Sequence, residues 1–231
     1  MNASGPTRRV IAVIVGLSLY AALRSLLVPG FLHPALNAAT GAALVPLALR
    51  CGMLPAELGL QRSGWRAGVR LGTKIAAATA VVIAAAAAFP ATRDFFDDRR
   101  ADVTGAALLW EVLVIIPLGT ALLEEIVFRG VILGIAARHV PNLRAILVSA
   151  VFFGVWHVAP TLSTAGGNSA TAGADGWELV LLVAGVVVAM IGAGVFLGAL
   201  RVRSASLIAP FLAHSAANGA AFTAAWFVLR A

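Results

Sequence analysis

Three short patterns hold the residues able to do chemistry: Glu124-Glu125-x-x-x-Arg129, Phe153-x-x-x-His157 and His214-x-x-x-Asn218. Each lies in an otherwise apolar run. At the centre of a membrane helix an ionisable side chain costs about 2.5 to 3.5 kcal/mol by insertion scales, so such a cluster points to function rather than stability. Spacing fixes direction, because side chains four apart share a helix face and adjacent ones diverge. Glu125 and Arg129 therefore form an i, i+4 ion pair with the acid on its better, N-terminal side, and read as scaffold. Glu124 points elsewhere and is expected to be unpaired. A carboxylate shielded from water suits a general base, so Glu124 can deprotonate a water that His157 shares or whose proton it shuttles. His214 and Asn218, on one face, are donors suited to the oxyanion formed when water adds to a carbonyl. Phe153, on the face of His157, can wall the site. The set is one for amide hydrolysis.

A metal version uses the same residues, with Glu124, His157 and His214 holding a divalent ion such as zinc. Against it stands the absence of a His-Glu-x-x-His pattern, and the metal-free version, with no cofactor, is favoured. Glu111 lies in the same run as Glu124 but is expected near the outer interface. His33 and His139 sit beside prolines at run ends and are given no role.

The elements that must position these residues are membrane helices. Of 231 residues 61% are hydrophobic and 12% charged, with mean hydropathy +0.95, far from a soluble domain. No stretch is polar and long enough for a soluble domain, and no repeat shows, so residues 1–231 read as one transmembrane domain. A net charge of +7 does not imply nucleic acid, since the basic residues lie singly or in pairs between apolar runs. Cys51 is alone, excludes an intrachain disulfide, and is read as structural. Arg24 interrupts the first apolar run and more spans follow, so that run is expected to stay attached rather than act as a cleaved signal.

About 20 apolar residues cross a bilayer, which gives seven spans. They cover Val10 to Val28, Pro34 to Leu49, Leu71 to Phe89, Gly105 to Arg138, Arg144 to Ala159, Trp177 to Leu200 and Ser204 to Leu229. Leu54 to Arg70 reads equally as an interfacial helix on anionic lipid or as a connecting loop. Ala76 to Ala88 can pack closely through small side chains. With the N-terminus in the cytoplasm, 12 of the 17 Lys and Arg fall on that side, as the positive-inside rule requires. The outer side receives Arg93, Arg99, Arg100 and Arg230. The expected fold is thus an all-α, polytopic bundle of about seven transmembrane helices, N-terminus cytoplasmic, in a multi-pass protein of the cell membrane. The Ala-, Val- and Arg-rich composition suggests a bacterial inner membrane.

Depth brings the three patterns together. With the turn between the fourth and fifth spans at Arg138 to Arg144, Glu124 stands 14 residues before it and His157 13 after it, both about 20 Å deep. Counted from Ser204, His214 and Asn218 are 10 and 14 residues in, about 15 and 21 Å deep.

In order and on successive apolar helices, the three patterns resemble the CPBP intramembrane proteases, the CAAX protease and bacteriocin-processing (Abi) family. The resemblance runs from about Gly105 to Ala231, the expected catalytic core. Upstream, Glu57-Leu58-Gly59-Leu60 followed by Trp65 looks like a family linker. The resemblance implies an all-helical membrane endopeptidase acting on a membrane-embedded or lipid-associated peptide or protein. By that analogy Glu124 and His157 activate water while His214 and Asn218 hold the oxyanion. Two other readings compete: a non-proteolytic immunity or peptide-binding protein on the same fold, and a proton-coupled transporter. The latter is disfavoured because the halves show no matching broken helices.

Overall fold

The computed structural model describes Gly16, Tyr20, Leu27, Val28 and residues 30–169 and 171–231. Apart from those first four residues, the expected first span lies outside the described residues, as do Arg8, Arg9 and Arg24. The rest is helical: α1 His33–Arg50, α2 Trp65–Ala88, α3 Gly105–Ala137, α4 Asn142–Trp156, α5 Val158–Thr164, α6 Gly176–Ser204 and α7 Ile208–Val228. Among the described residues the only β pairing is an isolated bridge, Asp98 with Asn168.

Among the described residues, four stretches are long and apolar enough to cross a membrane: Pro55–Ala88, Gly105–Ala137, Asn142–Gly167 and Gly176–Ser204. The chain is a multi-pass membrane protein. Helices also form where the second and seventh spans were expected, but α1 and α7 fall outside those four. α1 carries His33, Asn37 and Pro46, and α7 carries the polar pair His214 and Asn218. The segment Leu54 to Arg70 is neither a continuous interfacial helix nor a plain loop. Short turns at Pro55–Leu58 and Arg62–Gly64 lead into α2, which begins at Trp65. Cys51 is exposed in the turn after α1, not packed in a core.

Hydrogen bonds tie the two ends of the bundle. At one end Arg201 Nη2 donates to the carbonyls of Ala56 and Glu57, both at 2.9 Å. There Leu207 N donates to Gly59 O at 2.9 Å, and Arg138 reaches Gly52 O and the Glu57 carboxylate. Gly59 sits at φ 74°, and a Cβ there would lie 2.3 Å from Arg201 Nε, so the linker Glu57-Leu58-Gly59-Leu60 is a fixed corner. At the other end Ser169 N donates to Asp97 O, Asn168 Nδ2 to Phe95 O, and Trp226 Nε1 to Val103 O.

Between these ends the helices approach through small residues, as van der Waals packing in lipid demands. α2 and α7 run parallel. A Cβ on Gly64 would stand 2.6 Å from Ala205 O, one on Gly68 2.7 Å from Ser206 Oγ, and one on Gly72 3.0 Å from Ala209 Cα. α4 and α6 meet in the same way, antiparallel, with Gly194 against Ala150 and Gly198 against Ile146. Close packing by Ala76 to Ala88 was expected. It lies instead one stretch earlier, at the glycines, while the alanines line a cavity of about 780 Å³ between the same two helices.

Gly64→Leu drives a side chain into the Ala205 backbone and is expected to lower stability by about 1–3 kcal/mol, typical of overpacking. Gly185→Leu, where nothing lies within 4 Å, is expected to be neutral. Thermal melts of the two purified variants in one detergent check the difference.

Candidate active site

α3 supplies both glutamates. It is not a uniform α-helix but winds as π-helix over Glu111–Ala121, which contains Pro117, and over Glu125–Ile132. Wide i→i+5 turns are rare and favour functional sites. The second stretch is wholly buried. Ser149 Oγ, from α4, donates to the Phe128 carbonyl at 2.7 Å and pins it.

Glu125 and Arg129 form the expected ion pair, Nη1 to Oε1 at 3.0 Å, with side-chain exposure of 1% and 0%. Their surroundings are aromatic. The Arg129 guanidinium lies 4.0 Å from the Phe153 ring centroid, and Phe153 is edge-on to His157 at 4.5 Å and to His214 at 5.9 Å. Phe153 is therefore more than a wall: one buried ring touches the arginine and both histidines.

His214 does not stand where an oxyanion donor was expected. It is buried behind the cavity wall, with Nδ1 2.8 Å from Glu125 Oε1 and Nε2 3.7 Å from Glu124 Oε2. An ionised carboxylate only accepts, so Nδ1 carries a proton. The second member of its pattern, Asn218, lines the cavity.

Nor is Glu124 partnerless. Trp156 Nε1 donates to its Oε1 at 3.1 Å, while its Oε2 is buried without a hydrogen bond among the described residues. Trp156 was missed. Its signal was available: an indole N–H immediately before His157, at the last position of a helix facing the glutamate. His157 lies inside the membrane-capable stretch Asn142–Gly167, at the corner where α4 gives way to α5, at φ −80° and ψ −4°. Its Nδ1 lies 2.7 Å from the Phe153 carbonyl. A carbonyl only accepts, so Nδ1 bears a proton and Nε2 is the ring nitrogen left to the cavity.

Glu124, Trp156, His157 and Asn218 all line one cavity of about 900 Å³. It runs from these residues to Phe95, Arg100 and Asn168 at the end of the bundle away from the Arg138 turn. Glu111 lines it as well, so it belongs to the cavity wall rather than simply to the interface. At the mouth, partial burial pushes the Asp98 carboxyl up. The Arg100 guanidinium and backbone N–H, both bonded to it, outweigh this and hold it below the ordinary carboxylate range.

Residues 106–220 match the family described as type II CAAX prenyl endopeptidase Rce1-like. The chain belongs to this family. The match covers about half of the chain and contains all three patterns, and at family level it makes the chain an intramembrane endopeptidase. No curated protein and no solved structure matches. Within this CAAX-protease chain, a metal would need three ligands in reach of one ion. Among the described residues no group of three His, Cys, Asp or Glu is gathered around one such point.

Removing Arg129 leaves buried carboxylates without their cation. Arg129→Met is expected to cost about 3–5 kcal/mol, and the double variant Glu125→Gln/Arg129→Met to recover a large part of that loss. Unfolding of both variants in mixed micelles measures it.

Proposed function

We propose that this protein hydrolyses a peptide bond of a membrane-associated peptide or protein with a water activated by Glu124 and His157. The observation that carries the proposal is the shared cavity wall, which a buried carboxylate, an imidazole and a side-chain amide line together. In this reading Glu124 takes a proton from water, helped by His157 Nε2. The water oxygen then bonds to the carbonyl carbon, and the π electrons move to the carbonyl oxygen. Asn218 Nδ2 donates to that oxyanion. When the C–N bond breaks, the proton held by Glu124 passes to the leaving nitrogen. His214 acts from behind, keeping Glu125 and Glu124 in register. No step uses a metal. The family's name supports a lipid-anchored substrate, whose anchor would sit in the bilayer while the scissile segment enters the cavity.

The test is turnover of membrane-anchored peptides by purified protein in liposomes, read by mass spectrometry. Glu124→Gln and His157→Ala are each expected to lower kcat by about 10²–10⁴-fold, and Asn218→Ala by about 10²–10³-fold. Trp156→Phe is expected to slow turnover less, because it loosens Glu124 without removing it. Undiminished cutting by Glu124→Gln overturns the reading. Activity lost on exhaustive chelation and restored by zinc overturns its metal-free part.

A further inference from the structure

Two stripes of residues, both spaced by four, run along α2 and the turn before it. Gly64, Gly68 and Gly72 form the first and meet α7 and the corner that leads into it. A Cβ on each would stand 2.6 Å from Ala205 O, 2.7 Å from Ser206 Oγ and 3.0 Å from Ala209 Cα. Arg62, Arg66, Arg70 and Lys74 form the second. The stripes are displaced by two residues, about 200° around a helix of 3.6 residues per turn. Glycines therefore face the bundle and cations face away from it, and all four cations are exposed. Trp65 and Val69, 47% and 49% exposed, stand beside them.

Nothing in the chain balances this face. All ten acids fall among the described residues. Glu57 is paired with Arg138, and Glu124 and Glu125 are buried. The others, the Asp residues of 94–102 with Glu111, Asp175 and Glu178, belong to the other end of the bundle, where α2 finishes and α3 and α6 begin. Among the described residues none of the four cations makes an ion pair. Arg50, Arg144 and Arg203, also exposed, add to the excess at this Arg-rich end.

Like charges four apart weaken a helix, and here they follow one another at a rise of about 6 Å. An arrangement that costs stability in the isolated chain points to an anion outside it. α2 belongs to the membrane-capable stretch Pro55–Ala88, whose uninterrupted apolar part begins directly after Lys74. The outward face before that point meets the lipid headgroups. Their phosphates are the anions in reach, and Arg takes phosphate oxygens in a two-pronged fork while Lys acts as a point charge. Clusters of four or more Lys and Arg adjoining a membrane helix attract anionic lipid.

We infer that Arg62, Arg66, Arg70 and Lys74 are a binding site for the headgroups of anionic phospholipids, on the face of α2 turned away from α7. Exposed Trp65 and Val69 favour lipid over an acidic protein, because they offer an apolar contact at the level where headgroup meets acyl chain. The site is separate from the cavity that holds Glu124 and His157, to whose lining α2 contributes no residue.

The test is native mass spectrometry of the full-length protein in uncharged detergent, titrated with phosphatidylglycerol or with phosphatidylcholine of the same acyl chains. Phosphatidylglycerol is expected to bind about 10- to 100-fold more tightly, with a preference that shrinks as salt rises. Arg66→Gln/Arg70→Gln/Lys74→Gln is expected to lower its affinity about 100-fold, and Arg70→Gln alone about five-fold. Arg66→Lys/Arg70→Lys keeps the charge and is expected to retain most of the affinity. Arg50→Gln/Arg93→Gln/Arg99→Gln, an equal loss of charge elsewhere, is expected to leave it unchanged. Equal binding of the two lipids by the wild type overturns the site, and so does an equal loss in the two triple variants. Tighter binding of an oligoglutamate peptide than of phosphatidylglycerol overturns the lipid assignment in favour of an acidic partner.

Discussion

The buried Glu125–Arg129 pair is the constraint on which the rest of this structure depends. Burying two charges in a low-dielectric bundle is tolerated only when each has a partner and further polar contacts. The partners come from three helices. α3 supplies both charges, α4 lays the Phe153 face on the guanidinium, and α7 brings His214 Nδ1 to the carboxylate. Moving any of these helices would strand a charge, so the pair fixes their relative depth and rotation. The same register brings Glu124, His157 and Asn218 to one wall. Ion pairs like this add little net stability but can specify one arrangement among many similar apolar packings, and that is the role assigned to this one.

Helix packing then shapes the space around the pair. Glycines let α2 approach α7 closely where both leave the Arg-rich end, and Gly134 receives the Glu57 carbonyl, 2.8 Å from where its Cβ would be. Further along, alanines replace the glycines of α2 and a cavity separates the same helices. The α2–α7 packing is thus close at the Arg-rich end and loosens toward the other. The widened end is stitched by loop hydrogen bonds, not by side-chain packing in lipid.

Much of this was legible in the sequence. Membrane burial makes polar residues rare enough to stand out, so the three patterns and their common depth could be counted off apolar runs at helical rise. The ion pair followed from spacing alone. What spacing could not give was rotation beyond an ideal helix: α3 is π-wound across Glu125–Ile132 and α4 breaks at His157. Those departures turn His214 behind the wall and leave Asn218 on it. Trp156 escaped because an indole in an apolar helix reads as packing until the acceptor opposite it is known. The outer two expected helices were harder still. Polar residues that mark a site lower the hydropathy by which a span is recognised, so α7, which carries half of the expected catalytic residues, does not look like a span.

Two adjacent glutamates of identical chemistry end in different positions, and the difference lies in their donors. Glu125 meets a guanidinium and an imidazole N–H, both fixed, and is nearly inaccessible. These charge-assisted contacts hold it in one position. Glu124 meets one neutral donor, the Trp156 indole, on one oxygen, while its other oxygen is held by no hydrogen bond among the described residues. A neutral donor orients a carboxylate without supplying the opposite charge that would lock its ionised form. The indole therefore aims the Glu124 carboxylate. Trp156 holds the Glu124 carboxylate of α3 from the residue before His157, so one corner of α4 positions both groups. That coupling, not the presence of two acids, separates Glu124 on the cavity wall from Glu125 inside the ion pair.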